Sequence, residues 1–173
     1  MRQLLALTGL LAVFVLALTA SPVSAGSPAL TVASGAFTLH GPDFGLPNGT
    51  NRSSAFTVQQ SSDGTVRGQL ALVSFSGTKI HGDVNCFAQE GNRAIVGGTI
   101  TLDTQFPEFV GTPFAIAIQD NPDVSTFLYF DVDFGASPCT GLLPAVGEPD
   151  LGSLLNDQGY SISTGNIMIR QAG

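Results

Sequence analysis

Hydrophobic and polar residues follow two different patterns along this chain. From Leu4 to Ala20 the residues are almost wholly apolar, a run of about 17, at the short limit for a membrane-spanning helix. Beyond residue 25 the apolar residues come in short stretches bounded by Gly, Asn, Asp and Pro, the signature of β-strands. The pattern predicts strands at Thr31–His40, Ser54–Gln60, Thr65–Phe75, Lys79–Ala88, Arg93–Asp103, Phe114–Gln119, Thr126–Phe134 and Tyr160–Arg170. Asp63-Gly64 marks a tight hairpin, because both residues tolerate the positive φ it needs. Glu90-Gly91-Asn92 marks a second turn, and Pro122 a third within Asp120–Val124. Gly41–Asn51 and Thr104–Thr112 read as loops.

No window shows a helical period with caps. The stretch Gly135–Gly159 holds Pro138, Pro144 and Pro149 and reads as a long connection, with room for a helical turn near Leu151–Asn156. The expectation is an all-β fold, an antiparallel meander of about eight strands. Gly68, Gly82, Gly97 and Gly98 fall inside strands, where glycine permits bulges and sharp bends. A barrel is therefore favoured over a sandwich. No linker or repeat divides the chain, so residues 26–173 are expected to form one domain.

The apolar N-terminal run has Arg2 before it and Ser21-Pro22 after it. Val23 and Ala25 then place small residues at −3 and −1 of a cut before Gly26. That is the plan of a secretory signal peptide over residues 1–25. The expected product is secreted or extracytoplasmic, starts at Gly26 and is not inserted in the membrane. Its two cysteines, Cys86 and Cys139, are expected to form one disulfide.

Charge narrows the classes. The chain has a net charge of −7, only 11% charged residues and a single lysine, Lys79. A nucleic-acid partner needs a basic face, and none is present. Residues 101–173 carry nine carboxylates against one cation, Arg170. Asp120, Asn121 and Asp123 share a turn, and Asp131 and Asp133 share a strand face. The EF-hand pattern is absent, so these read as an acidic, solubilising surface and no metal is expected. The mature chain has eleven phenylalanines and no tryptophan. The phenylalanines read as core, with an apolar cavity as the variant reading.

The fourth predicted strand alternates cleanly. Ile80, Gly82, Val84, Cys86 and Ala88 share one face, and His81, Asp83, Asn85 and Phe87 the other. The imidazole, carboxylate and amide of His81, Asp83 and Asn85 form a row spaced about 7 Å apart. In a barrel lumen the row would orient a polar ligand, or let His81 act as a base steered by Asp83. The plainer account of the row is a solvated outer face. Two such residues alone make no zinc site, and no cofactor motif is present. Asn48-Gly-Thr50 and Asn51-Arg-Ser53 match the N-glycosylation sequon, which has meaning only in a eukaryotic secretory pathway.

The stretch Lys79-Ile-His-Gly-Asp-Val-Asn-Cys86, followed by Gly91-Asn-Arg-Ala-Ile-Val-Gly-Gly98 and preceded by Gly64-Thr-Val-Arg-Gly68, resembles a group of small exported bacterial proteins. The resemblance covers about residues 55–120. It implies an exported β-domain and carries over no catalytic residue. The expectation is thus an exported, non-catalytic domain that binds a small ligand or a cell-surface partner, with His81, Asp83 and Asn85 as candidate binding residues. The alternatives are a structural or adhesive surface component, or a cofactor-free barrel enzyme using His81 and Asp83.

Overall fold

Alternation along the strands decides which side of the sheet is buried. On the second strand, Ser54, Phe56 and Val58 are buried while Ser53, Ala55, Thr57 and Gln59 are exposed. In the computed structural model, which describes residues 30–41, 50–74, 77–128 and 137–170, this alternation wraps eight strands into a closed barrel. They are β1 (Leu30–Gly41), β2 (Thr50–Gln60), β3 (Val66–Ser74), β4 (Lys79–Glu90), β5 (Arg93–Asp103), β6 (Pro113–Gln119), β7 (Val124–Leu128) and β8 (Tyr160–Ile169). Each pairs antiparallel with its sequence neighbours, and β8 returns to β1 from Ala33↔Ile169 to Leu39↔Ile162. The barrel expectation holds, and so does the up-and-down order. The expected signal peptide lies outside the described residues.

Apolar side chains fill the interior. Phe37, Phe56, Val58, Leu70, Val84, Val96, Ile100, Phe114, Ile118 and Ile167 belong to one buried cluster. Such a core is typical of eight-stranded barrels, whose lumen is just wide enough for side chains to fill.

A second cluster lies outside the wall. Two helices, α1 (Pro138–Val146) and α2 (Leu151–Gln158), cover β5 and β6. Their Leu142, Leu151, Leu154 and Leu155 pack on Ile95, Ala115 and Ala117. The small alanines let the helices approach closely. Fully burying a leucine stabilises by about 1.5–3 kcal/mol, so Leu142 and Leu154, both wholly buried, hold this layer down. Strands β5 and β6 are therefore buried on both faces along most of their length.

The helices correct the reading of Gly135–Gly159 as a loop with at most one turn. The prolines do not prevent helix formation where they stand. Pro138 occupies the first turn of α1, where its missing N–H has no partner to lose, and the Ser137 hydroxyl accepts the Cys139 N–H at 3.3 Å. Gly147 ends the helix in the left-handed conformation, φ +76°, as helix C-termini commonly do. Pro149 precedes the Asp150 cap of α2, whose carboxylate accepts the Ser153 N–H at 2.8 Å. Among the described residues β7 ends at Leu128, and the rest of the expected seventh strand, with Asp131 and Asp133, lies outside them. The expected loop at Thr104–Thr112 contains a 3-10 turn, Pro107–Phe109.

Candidate functional site

The row on β4 faces outward. Ile80, Gly82 and Val84 point into the barrel: Ile80 packs against the interior cluster, Val84 belongs to it, and a Cβ on Gly82 would strike the Phe114 ring. Strand geometry then sends His81, Asp83 and Asn85 to the outside, and all three are exposed. The strict alternation expected along β4 does not continue past them. The register steps from Val84↔Gly98 to Cys86↔Gly97, so Asn85 is an extra, bulged residue. A bulge exchanges the two faces beyond it. Phe87 therefore packs against the interior, while Cys86 and Ala88 pack outside against the helix layer.

That exchange positions the disulfide. Cys86 and Cys139 are bonded, with Cα atoms 5.9 Å apart. The bridge ties the first turn of α1 to the outer face of β4. A bond of this kind persists in oxidising compartments and is rare in the cytosol. Among the described residues no helix is long and apolar enough to cross a membrane.

The neighbours of the row follow from the register. His81 stands between Ala71 on β3 and Leu102 on β5, and Asp83 between Gln69 and Thr99. Ala55 and Thr57 of β2 extend the same two rows. The result is a mixed sheet face of small, hydroxyl, amide, imidazole and carboxylate groups, with the exposed Leu102 beside His81. The helix layer lies elsewhere, over Cys86, Ala88, Ile95, Ala115, Ala117 and Val124. Among the described residues, none of His81, Asp83 and Asn85 makes a side-chain hydrogen bond or ion pair. Their donors and acceptors face solvent. An imidazole steered by a carboxylate needs a hydrogen bond between them, and no such bond joins His81 to Asp83.

The acidic turn has a different use. Asp120 Oδ2 accepts the Ile169 N–H at 3.0 Å and Asp123 Oδ2 the Ile167 N–H at 3.2 Å. Asp123 Oδ1 accepts the Asn121 N–H at 3.2 Å. These carboxylates complete the backbone bonding of β8. Among the described residues no group of three or more His, Cys, Asp or Glu is placed to hold a metal.

Two further polar residues are buried without notice from the sequence. Asp103 is 4% exposed. Its Oδ1 accepts the Gln105 and Phe106 N–H groups, both at 2.8 Å, and Oδ2 has no partner. Gln119 accepts from Arg93 Nε at 2.8 Å through Oε1 and donates to the Pro122 carbonyl. The Arg93 guanidinium also lies over Gly152 at the start of α2. An apolar-to-polar switch at the end of an otherwise apolar strand, as at Asp103, is the only sequence signal for either.

No protein-family model, no curated protein and no solved structure matches this chain.

Proposed function

We propose that the protein is an exported, non-catalytic β-barrel that binds a polar cell-surface partner through the outer face of β4, with His81, Asp83 and Asn85 as the contact row. One observation carries this reading: the row is exposed and, among the described residues, its side chains make no bond and the helix layer does not cover it. A small-ligand version places the ligand on the same face, because apolar side chains occupy the barrel interior. Export rests on residues 1–25 and on the disulfide.

The test is binding of the oxidised protein, beginning at Gly26, to isolated cell envelopes. The triple variant His81→Ala, Asp83→Ala, Asn85→Ala should bind at least about tenfold more weakly, as loss of a contact centre commonly does, with its melting temperature unchanged. Equal binding by the variant, or no binding by the wild type, sinks the reading.

An adhesive surface component is the second reading. It is favoured by Val73 and Leu102, 41% and 38% exposed, which stand on β3 and β5 beside the row. Binding that survives the triple variant and is lost on Val73→Ser with Leu102→Ser would select it.

A further inference from the structure

Among the described residues, seven of the eight strand junctions are ladders of five or more residue pairs; the β7–β8 junction has two, Val124↔Ser161 and Ser125↔Tyr160. Beyond them β8 bends. Gly165 takes φ +105°, a conformation open to glycine and strained for other residues. The register to β1 also slips between Thr38 and Leu39. The turn from Asp120 to Asp123 lies against β8. There Asp123 reaches both limbs of β8: its carbonyl accepts the Ile162 N–H at 3.2 Å, and its carboxylate the Ile167 N–H at 3.2 Å. Asp120 adds the bond to Ile169.

The turn itself is anchored. The Asn92 side-chain amide donates to the Asp120 and Asn121 carbonyls at 2.5 and 3.2 Å, and the Gln119 amide donates to the Pro122 carbonyl at 3.1 Å. So a fixed turn presents two carboxylates where a neighbouring strand would present carbonyls.

We propose that Asp120 and Asp123 form a latch, and that the barrel opens at this seam by release of β8 from the latch while β8 stays hinged on its longer ladder with β1. The reasoning is one of unequal bonding. Local opening follows the parts of a structure with the fewest buried contacts and the most replaceable hydrogen bonds. Residues 163–166 of β8 are all exposed, so besides its ladder with β1 the second limb is held by the latch, by one bond from Gln89 Nε2 to the Arg170 carbonyl and by the side chains of Ile167 and Ile169. Those two isoleucines belong to the interior cluster. Releasing the limb therefore uncovers the apolar interior on one side and leaves the β1–β6 wall standing.

Amide hydrogen exchange, resolved by residue on the folded oxidised protein, tests this. The Ile167 and Ile169 amides should exchange at least about tenfold faster than amides in the middle of β2 and β3, because each depends on one side-chain bond of a kind whose loss shifts an equilibrium by about that factor. Asp123→Asn and Asp120→Asn should accelerate Ile167 and Ile169 further while leaving β2 and β3 unchanged. These variants keep an oxygen in place, which protects the fold. Should Ile167 and Ile169 prove as protected as β2 and β3 in the wild type, the latch is wrong. It is equally wrong if the variants accelerate every amide together, since the turn then supports the whole barrel.

Discussion

A Cβ on Gly97 would stand 2.7 Å from the Cys86 sulfur and 2.8 Å from Pro138 Cγ. Gly97 is paired with Cys86 across the β4–β5 ladder and with Ala115 across β5–β6. The absence of a side chain there lets the disulfide and the first turn of α1 lie against the sheet. Gly97→Ala should push Pro138 and the bridge outward and destabilise by about 1–3 kcal/mol, the usual cost of overpacking. Thermal unfolding of the oxidised protein would show a fall of several degrees. An unchanged melting temperature would mean that α1 does not rest on Gly97.

The bridge closes a separation of 53 residues. In the chain-entropy account a loop of that length stabilises by about 4 kcal/mol. The bond holds a helix to the wall and crosses no strand pair. Cys86→Ala with Cys139→Ala should therefore lower the melting temperature and loosen α1, yet keep the β-type far-ultraviolet circular dichroism at room temperature. Loss of that signal would mean that the helix layer is needed for the barrel itself to form.

The meander was legible because strands of the first half carry alternating stretches against one apolar core, as Phe56 and Val58 do on β2 and Ile80 to Val84 on β4. The helix layer was legible only in part. Ala94-Ile95-Val96 and Phe114-Ala-Ile-Ala-Ile118 are unbroken apolar runs, and such runs mark strands buried on both faces. What covers them, the leucines from Leu142 to Leu155, is interrupted by Pro144 and Pro149, which obscure a helical period. The bulge at Asn85 had no local sign, because the residue types around it alternate correctly; the pairing with Gly97 and Gly98 alone reveals it. Asp120 and Asp123 were visible as an acidic turn, but their partners Ile169 and Ile167 lie 49 and 44 residues away. Spacing does not report bonds of that range. The outward direction of His81, Asp83 and Asn85 follows from Ile80, Gly82 and Val84 facing in.

Gly165 is the second glycine whose replacement has a definite consequence. Its φ of +105° disfavours any side chain, and a Cβ there would meet the Ala36 carbonyl oxygen and come within 2.5 Å of Phe37 Cα. Both contacts are backbone and cannot move aside. Backbone strain alone costs about 1–3 kcal/mol. Gly165→Ala should thus destabilise by at least that much, measured by urea unfolding. A variant as stable as the wild type would mean that β8 does not bend there.

Acid should weaken the cap of α2 in a way a single variant can isolate. The Ser153 N–H bonded to the Asp150 carboxylate is the main reason that its pKa lies below the ordinary value of 3.8; desolvation is the next influence and opposes it, while the Gly152 N–H, the Ser153 side chain and the Arg93 charge lower it further by smaller amounts. A carboxyl whose pKa is lower folded than unfolded stabilises the fold fully above the unfolded value. That contribution is lost as pH falls through the folded value. Asp63 behaves alike, its carboxylate accepting the Thr65 N–H at 2.9 Å in the β2–β3 hairpin. Asp150→Asn keeps an oxygen acceptor but removes the charge. At neutral pH the wild type should melt higher than this variant. As pH drops below about 3.8 the gap should close, because the protonated aspartic acid and the amide then cap the helix without charge. Melting temperatures of both proteins, followed downward from pH 7 through and below the ordinary value of 3.8, decide the matter. A gap that stays constant across the series would show that the Asp150 charge does not stabilise α2.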